Sequence, residues 1–240
     1  MALNMLRLLN GFLARFNPEK YPTTAIQVPN SDCSEFEVNL WELSRFVTTS
    51  LVPVVGVSPF PLSEQLLMVG AVCRFRSTHI FEWGTNIGVS ARIFHDTCKA
   101  FGISTMIHSI DLPDAISHCE HPGSNRGRLV RGLASVQLHT GDGLDTTRKL
   151  LRNITDEQPR LLFFVDGDHS YESVLRELLG IHQLAPNAAI LVHDTFYQST
   201  ASGYNIGPFL AIRAFLAEVH DLYSVMEQKM GLPGMTLLWR

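Results

Sequence analysis

From residue 78 onward, short apolar runs alternate with stretches in which apolar positions recur every three or four residues. "THIFEW" (78–83), "STMIHSI" (104–110), "SVQLH" (135–139), "RLLFFVD" (160–166) and "NAAILVHD" (187–194) are predicted strands. "VSARIFHDTCKAF" (89–101), residues 144–153, "SYESVLRELLGIHQL" (170–184) and "GPFLAIRAFLAEV" (207–219) are predicted helices. "LYSVMEQ" (222–228) and "GMTLLWR" (234–240) form a closing, hairpin-like pair. Strands that alternate with helices imply a doubly wound, mainly parallel α/β sheet. Runs as apolar as "LLFFV" and "AAILV" suit strands covered on both faces.

The pattern differs upstream. Leu3, Leu6, Leu9 and Leu13 recur at helical spacing, which predicts an amphipathic N-terminal helix. Residues 17–36 are rich in Pro, Asn, Ser and Thr and read as a connecting segment. Residues 35–47 read as a helix, and a further helix is expected with Ser63 as its N-cap and Glu64 behind it. The expected organisation is a helical extension or cap over 1–60 and one α/β domain over 61–240.

Composition narrows the function classes. The 240 residues are 45% hydrophobic with a net charge of −4, and mean hydropathy is near zero. No basic stripe points to nucleic acid, and no run is apolar enough to span a bilayer. Cys33, Cys73, Cys98 and Cys119 lack metal-ligand spacing and read as reduced thiols of a cytoplasmic protein.

Chemistry concentrates at the strand ends. Glu82, Asp111, Asp142, Asp166 and Asp194 each close, or lie just beyond, a predicted parallel strand. Right-handed crossovers bring those ends to one edge, where open α/β sheets bind ligands. Five acids on one edge call for a cationic or donor-rich ligand among them. After the first strand comes Gly84-Thr85-Asn86-Ile87-Gly88, then Ser90. It lacks the middle glycine of a dinucleotide-binding turn, but its glycines still permit close backbone approach.

"FEWGTNIGVS" resembles the E/DxGxxxGxS motif of class I S-adenosylmethionine-dependent methyltransferases. "HSIDLPD", "LHTGDGL", "FVDGDHSYESV" and "ILVHDT" resemble the motifs that follow it, in order. The last two are similar to the branch containing small-molecule and sugar O-methyltransferases, including proteins labelled cephalosporin hydroxylases. The resemblance implies a seven-stranded Rossmann-like methyltransferase fold. It also implies S-adenosylmethionine as cofactor and a small-molecule hydroxyl (sugar, phenol or natural product) as acceptor.

Carried over, Glu82, Gly84, Thr85, Asn86 and Gly88 shape the methionine pocket, and Ser90 binds the methionine carboxylate. Asp111 accepts the ribose hydroxyls, Gly141 and Asp142 flank the adenine, and Asp166 lies near the methionine amine. Asp166, His193 and Asp194 form the corner that binds a divalent cation (Mg, Mn or Fe) in related metal-dependent enzymes. There His193 replaces an oxygen ligand, which favours Mn, Fe or Zn over Mg; a metal-free His193 that orients the acceptor is the other reading. His169 is the first candidate for general base, with Asp166 beside it. His118 and His121 are candidates for the acceptor pocket. A homo-oligomer, for which a dimer is one form, is the expected assembly, with neither nucleic acid nor membrane as partner. Three alternatives remain open: a non-haem iron oxygenase using His169, His193 and one acid, an NAD-dependent oxidoreductase, and a cofactor-binding protein without catalysis.

Overall fold

The structure, a computed structural model, describes residues 38–113, 115–116, 122–220 and 222–240. The expected N-terminal helix, the 17–36 segment, Cys33, Cys119, His118 and His121 lie outside the described residues.

The first helix among the described residues, α1 (Leu40–Phe46), is capped by the Asn39 side chain, which accepts the Glu42 N–H. A π-helical turn (Val47–Leu51) leads into the short α2 (Val52–Val55). Pro53 lies in α2; a proline lacks the N–H that a regular ladder needs and its ring crowds the carbonyl four residues back. A π turn is one way a helix absorbs such a break. Leu43, Val47 and Leu51 are fully buried, so this segment packs into the core.

Next comes α3 (Leu62–Phe75), whose N-cap is Pro61. This corrects the expectation of a Ser63 cap. Proline is pre-set for a helix start, and the Pro61 carbonyl already receives the Glu64 and Gln65 N–H groups, so Ser63 falls inside the first turn.

The α/β pattern follows in order: β1 (His79–Trp83), α4 (Val89–Ala100), β2 (Met106–Asp111), β3 (Val136–Thr140), α5 (Gly143–Leu151), β4 (Leu161–Val165), α6 (Tyr171–Leu184), β5 (Ala189–His193), α7 (Gly207–Glu218), β6 (Ser224–Gln228) and β7 (Met235–Trp239). They build a seven-stranded sheet in the order β3-β2-β1-β4-β5-β7-β6. The first five strands are parallel and β7 is antiparallel to both neighbours. The doubly wound reading of the sequence holds, and the expected hairpin-like pair is the β6–β7 edge.

Period-two alternation decides which residues meet which helix layer. Ile80, Ile107, Leu162, Phe164 and Leu191 face α3 and α4 in one apolar cluster. Phe81, Ile110, Phe163, Val165 and Ile190 face α5, α6 and α7 in the other. The strand order reverses between β1 and β4, so the switch point opens above Trp83 and Val165. Among the described residues no helix is long and apolar enough to cross a membrane. Cys73 and Cys98 are buried free thiols, the former pushed up to about 12 mainly by burial.

Candidate active site

The turn after β1 is held by unusual backbone. Gly84 has φ +98°, and a Cβ there would stand 2.2 Å from the Asp166 carbonyl oxygen. The Asp166 N–H in turn bonds the Trp83 carbonyl. The β1 and β4 ends are thus locked together at a distance only glycine allows. Gly88, at φ +90°, is the N-cap of α4.

Glu82 is fully buried and accepts the hydroxyls of Ser90 and Ser109. Burial pushes its carboxyl up to about 8, against those two hydrogen bonds. Ser90 therefore spends its hydroxyl beneath the glycine turn. Asp111 receives the Thr85 and Asn86 N–H groups on Oδ2 at 3.1 and 3.0 Å and the Leu112 N–H on Oδ1 at 2.8 Å. Its carboxylate stands at the β2 end with acceptor capacity left over. Gly141, at φ +135°, follows β3. Asp142 caps α5 through the Asp145 N–H and pairs with Arg176 at 2.6 Å.

The β4 and β5 ends carry a denser constellation. Asp166, His193 and Asp194 each place one ligand atom so that all lie within 4.8 Å of one another. His193 Nδ1 lies 2.9 Å from Asp166 Oδ1, and its Nε2 lies 3.0 Å from Glu64 Oε2 on α3. Phe60 packs edge-on against its ring with centroids 4.8 Å apart. Burial works against charge on His193, but Asp166, Glu64 and Asp194 prevail and raise it to about 10.

His169 completes the cluster from the loop before α6. Its Nδ1 is 3.0 Å from Asp194 Oδ2. Its Nε2 faces Asp166 Oδ1 from 3.4 Å, within ion-pair reach but outside hydrogen-bond alignment, and is buried with no hydrogen-bond partner. Asp166 and Asp194 push this imidazole up to about 10 against burial. Tyr204 donates its hydroxyl to Asp194 Oδ1 at 2.5 Å, and Asn205 holds the His169 carbonyl at 2.5 Å.

The five strand-end acids do share the C-terminal edge of the parallel strands. Asp166, His169, His193 and Asp194 converge there; Asp111 sits across the glycine turn. Sequence reasoning misses two members. Glu64 reads there only as an acid behind a helix cap, although an acid at the head of so apolar a helix ("LLMVGAV") is a signal. Tyr204 lies in a segment (197–208) expected to cover the acceptor, but nothing in its neighbours singles it out.

Residues 81–195, from β1 to just past β5, match the family model of a methyltransferase domain. Several solved structures share the fold. A Bacillus cereus O-methyltransferase in complex with SAH is 19% identical, with a TM-score of 0.53 over 84% of this chain and 90% of that one. The O-methyltransferase TomG from Streptomyces achromogenes, involved in tomaymycin synthesis and solved with SAM, is 17% identical, with a TM-score of 0.52 over 94% and 97%. The SAH-bound Podospora anserina methyltransferase PaMTH1 is 18% identical, with a TM-score of 0.52 over 84% and 87%. No curated protein matches the chain significantly. The match to a methyltransferase domain is confined to residues 81–195, and the solved structures show that the chain has the fold of these proteins.

Proposed function

We propose that the protein transfers a methyl group from S-adenosylmethionine to a hydroxyl of a small molecule, with a divalent cation assisting at the Asp166–His193–Asp194 corner. The observation that carries this reading is the shared edge: Asp111 at the β2 end and the Asp166–His169–Asp194 cluster at the β4 and β5 ends flank the glycine turn.

The residues fit the cofactor. Asp111 keeps free lone pairs for the ribose hydroxyls, and Gly84 and Gly88 let the turn that Asp111 holds pack tightly against the Asp166 backbone and against Gly127 and Val130. Asp166 offers negative charge to a cationic ligand. Bound there, S-adenosylmethionine supplies a methyl group made electrophilic by its sulfonium. Glu82, Ser90 and Ser109 support the turn from below and keep it rigid.

The corner fits a cation. Two carboxylate oxygens and one imidazole nitrogen converge, a mixed donor set that favours Mn, Fe or Zn over Mg. A cation there would polarise the acceptor oxygen and balance the acids that otherwise hold the His169 proton. His169 then receives the acceptor's hydroxyl proton at Nε2, the buried nitrogen without a hydrogen-bond partner. The protein's main contribution is to hold acceptor and cofactor in line.

Calorimetric titration of the chelator-treated protein with S-adenosylhomocysteine, repeated with Mg, Mn and Fe(II), tests the reading. Stoichiometric binding of S-adenosylhomocysteine is expected, with heat from Mn or Fe(II) that is lost in Asp166→Asn. Absence of S-adenosylhomocysteine binding under every condition overturns the methyl-transfer reading. Absence of cation binding overturns the metal part alone.

A further inference from the structure

Glu64 stands outside the stretch that matches the methyltransferase domain, on a helix that precedes the first strand. Packing of α3 over the sheet nevertheless brings it against His193, 129 residues away in sequence. Both are almost wholly buried, at 1% and 5% exposure. Glu64 Oε2 meets His193 Nε2 at 3.0 Å, while Oε1 accepts the Gly234 N–H at 2.8 Å. The carboxylate is thus clamped from the turn before β7 and aimed at one imidazole nitrogen.

A carboxylate only accepts hydrogen bonds, so Glu64 requires a proton on His193 Nε2. Nδ1 faces Asp166 at 2.9 Å and Asp194 at 3.8 Å, acceptors as well, so it too carries a proton until a cation takes the corner; a cation there would displace the Nδ1 proton while Glu64 keeps the one on Nε2. Histidine ligands of metals are commonly oriented in this way, by a carboxylate on the far nitrogen. Phe60 and Phe164 close the ring in from its sides. If Glu64 served only to satisfy Gly234, one neutral acceptor would suffice and no charge need be buried. We infer that Glu64 is a positioning residue: it fixes the tautomer and ring orientation of His193 so that Nδ1 is presented as the nitrogen ligand of the cation corner. The inference rests on the cation reading of that corner and places a required part of the site on α3.

The test compares the full-length protein with Glu64→Gln, which keeps the side chain's shape but offers only one carbonyl oxygen for two donors. Three quantities are read: Mn(II) affinity from the free-ion paramagnetic resonance signal, S-adenosylhomocysteine affinity by calorimetry, and the imidazole 15N shifts of His193 in the protein loaded with diamagnetic Zn(II). The wild type should show a protonated Nε2 on His193. The variant should bind Mn(II) about 10- to 100-fold more weakly, with S-adenosylhomocysteine affinity unchanged. Equal Mn(II) affinity in both proteins overturns the role of Glu64 and leaves the cation reading standing. A wild type that binds S-adenosylhomocysteine but no Mn(II) overturns both the cation reading and the inference, not methyl transfer. Should Glu64→Gln fail to fold, the wild-type 15N spectrum still decides: an unprotonated Nε2 rules the positioning role out.

Discussion

His169 Nδ1 and Asp194 Oδ2 lie 3.0 Å apart, so the candidate base is bound to an acid of the candidate cation corner. Asp166 and Asp194 together hold the His169 proton up to about 10. The imidazole is therefore charged at neutral pH, and the free protein presents it as a cation between two acids. In an NMR titration of the metal-free protein, the His169 ring should titrate near pH 10; the apparent value belongs to the cluster, because His193 is raised alongside it. Asp194→Asn should bring it down toward the ordinary histidine value. Stability follows the same sign: a raised histidine contributes fully below its unfolded value, about 6.5, and its contribution is lost as pH rises through about 10. The stability gap between wild type and Asp194→Asn should accordingly be wide at about pH 6 and narrow by about pH 10 in denaturant melts.

Asp111 offers a prediction specific to the cofactor. Its carboxylate already holds the Thr85 and Asn86 N–H groups and, in the proposed reading, also receives two hydroxyls. Hydrogen bonds to a charged acceptor are worth about 1.5–3 kcal/mol each. Asp111→Asn should weaken S-adenosylhomocysteine binding by roughly 10- to 100-fold, since about 1.4 kcal/mol is a factor of ten. Calorimetry at fixed pH measures this directly. An affinity within about twofold of wild type would remove Asp111 from the ribose site.

The strand order and the edge were legible because two periodicities differ so clearly. "LLFFV" ends in Asp166 and "AILVH" in Asp194, and parallel pairing of β4 with β5 did the rest. What escaped depends on packing between distant segments. Glu64 reaches His193 only through the seating of α3 on the sheet. Asp142 reads in sequence as a cofactor residue, and the structure shows it also bound to Arg176, 34 residues on, across the α5–α6 layer. The Ser63 cap is a local rule overridden by the proline two residues earlier. Likewise the helix expected over 35–47 is, among the described residues, an α1 over Leu40–Phe46 that gives way to a π turn.

Gly84 provides a mechanical test of the β1–β4 lock. An added Cβ would meet the Asp166 carbonyl oxygen at 2.2 Å and its carbon at 2.8 Å, both backbone atoms that cannot swing aside. The positive φ adds about 1–2 kcal/mol of strain for an L side chain, and overpacking typically adds about 1–3 kcal/mol. Gly84→Ala should therefore lower Tm by roughly 4–20 °C, at about 2–4 °C per kcal/mol for a chain of this size. It should also displace Asp166, so cofactor affinity should fall with stability. A variant with wild-type Tm would show that the two strand ends part more easily than this packing allows.

Glu177 should give the protein a pH dependence unrelated to the active site. It is buried on α6, and its Oε2 has no hydrogen-bond partner. Burial is the largest influence on it and, despite the opposing charge of Arg176, pushes it up to about 8 from an ordinary 4.5. Between those two values the folded chain keeps a proton that the unfolded chain has released, so stability falls as pH rises from about 4.5 to about 8 and then levels off. Glu177→Gln removes the ionisation while keeping the shape. The variant should match wild type near pH 4.5 and exceed it at pH 8 by an amount on the order of a few kcal/mol, because holding a proton tenfold more tightly corresponds to about 1.36 kcal/mol. Urea midpoints at the two pH values measure the difference. Parallel curves for the two proteins would mean that Glu177 is solvated in the folded state and carries its charge there without cost.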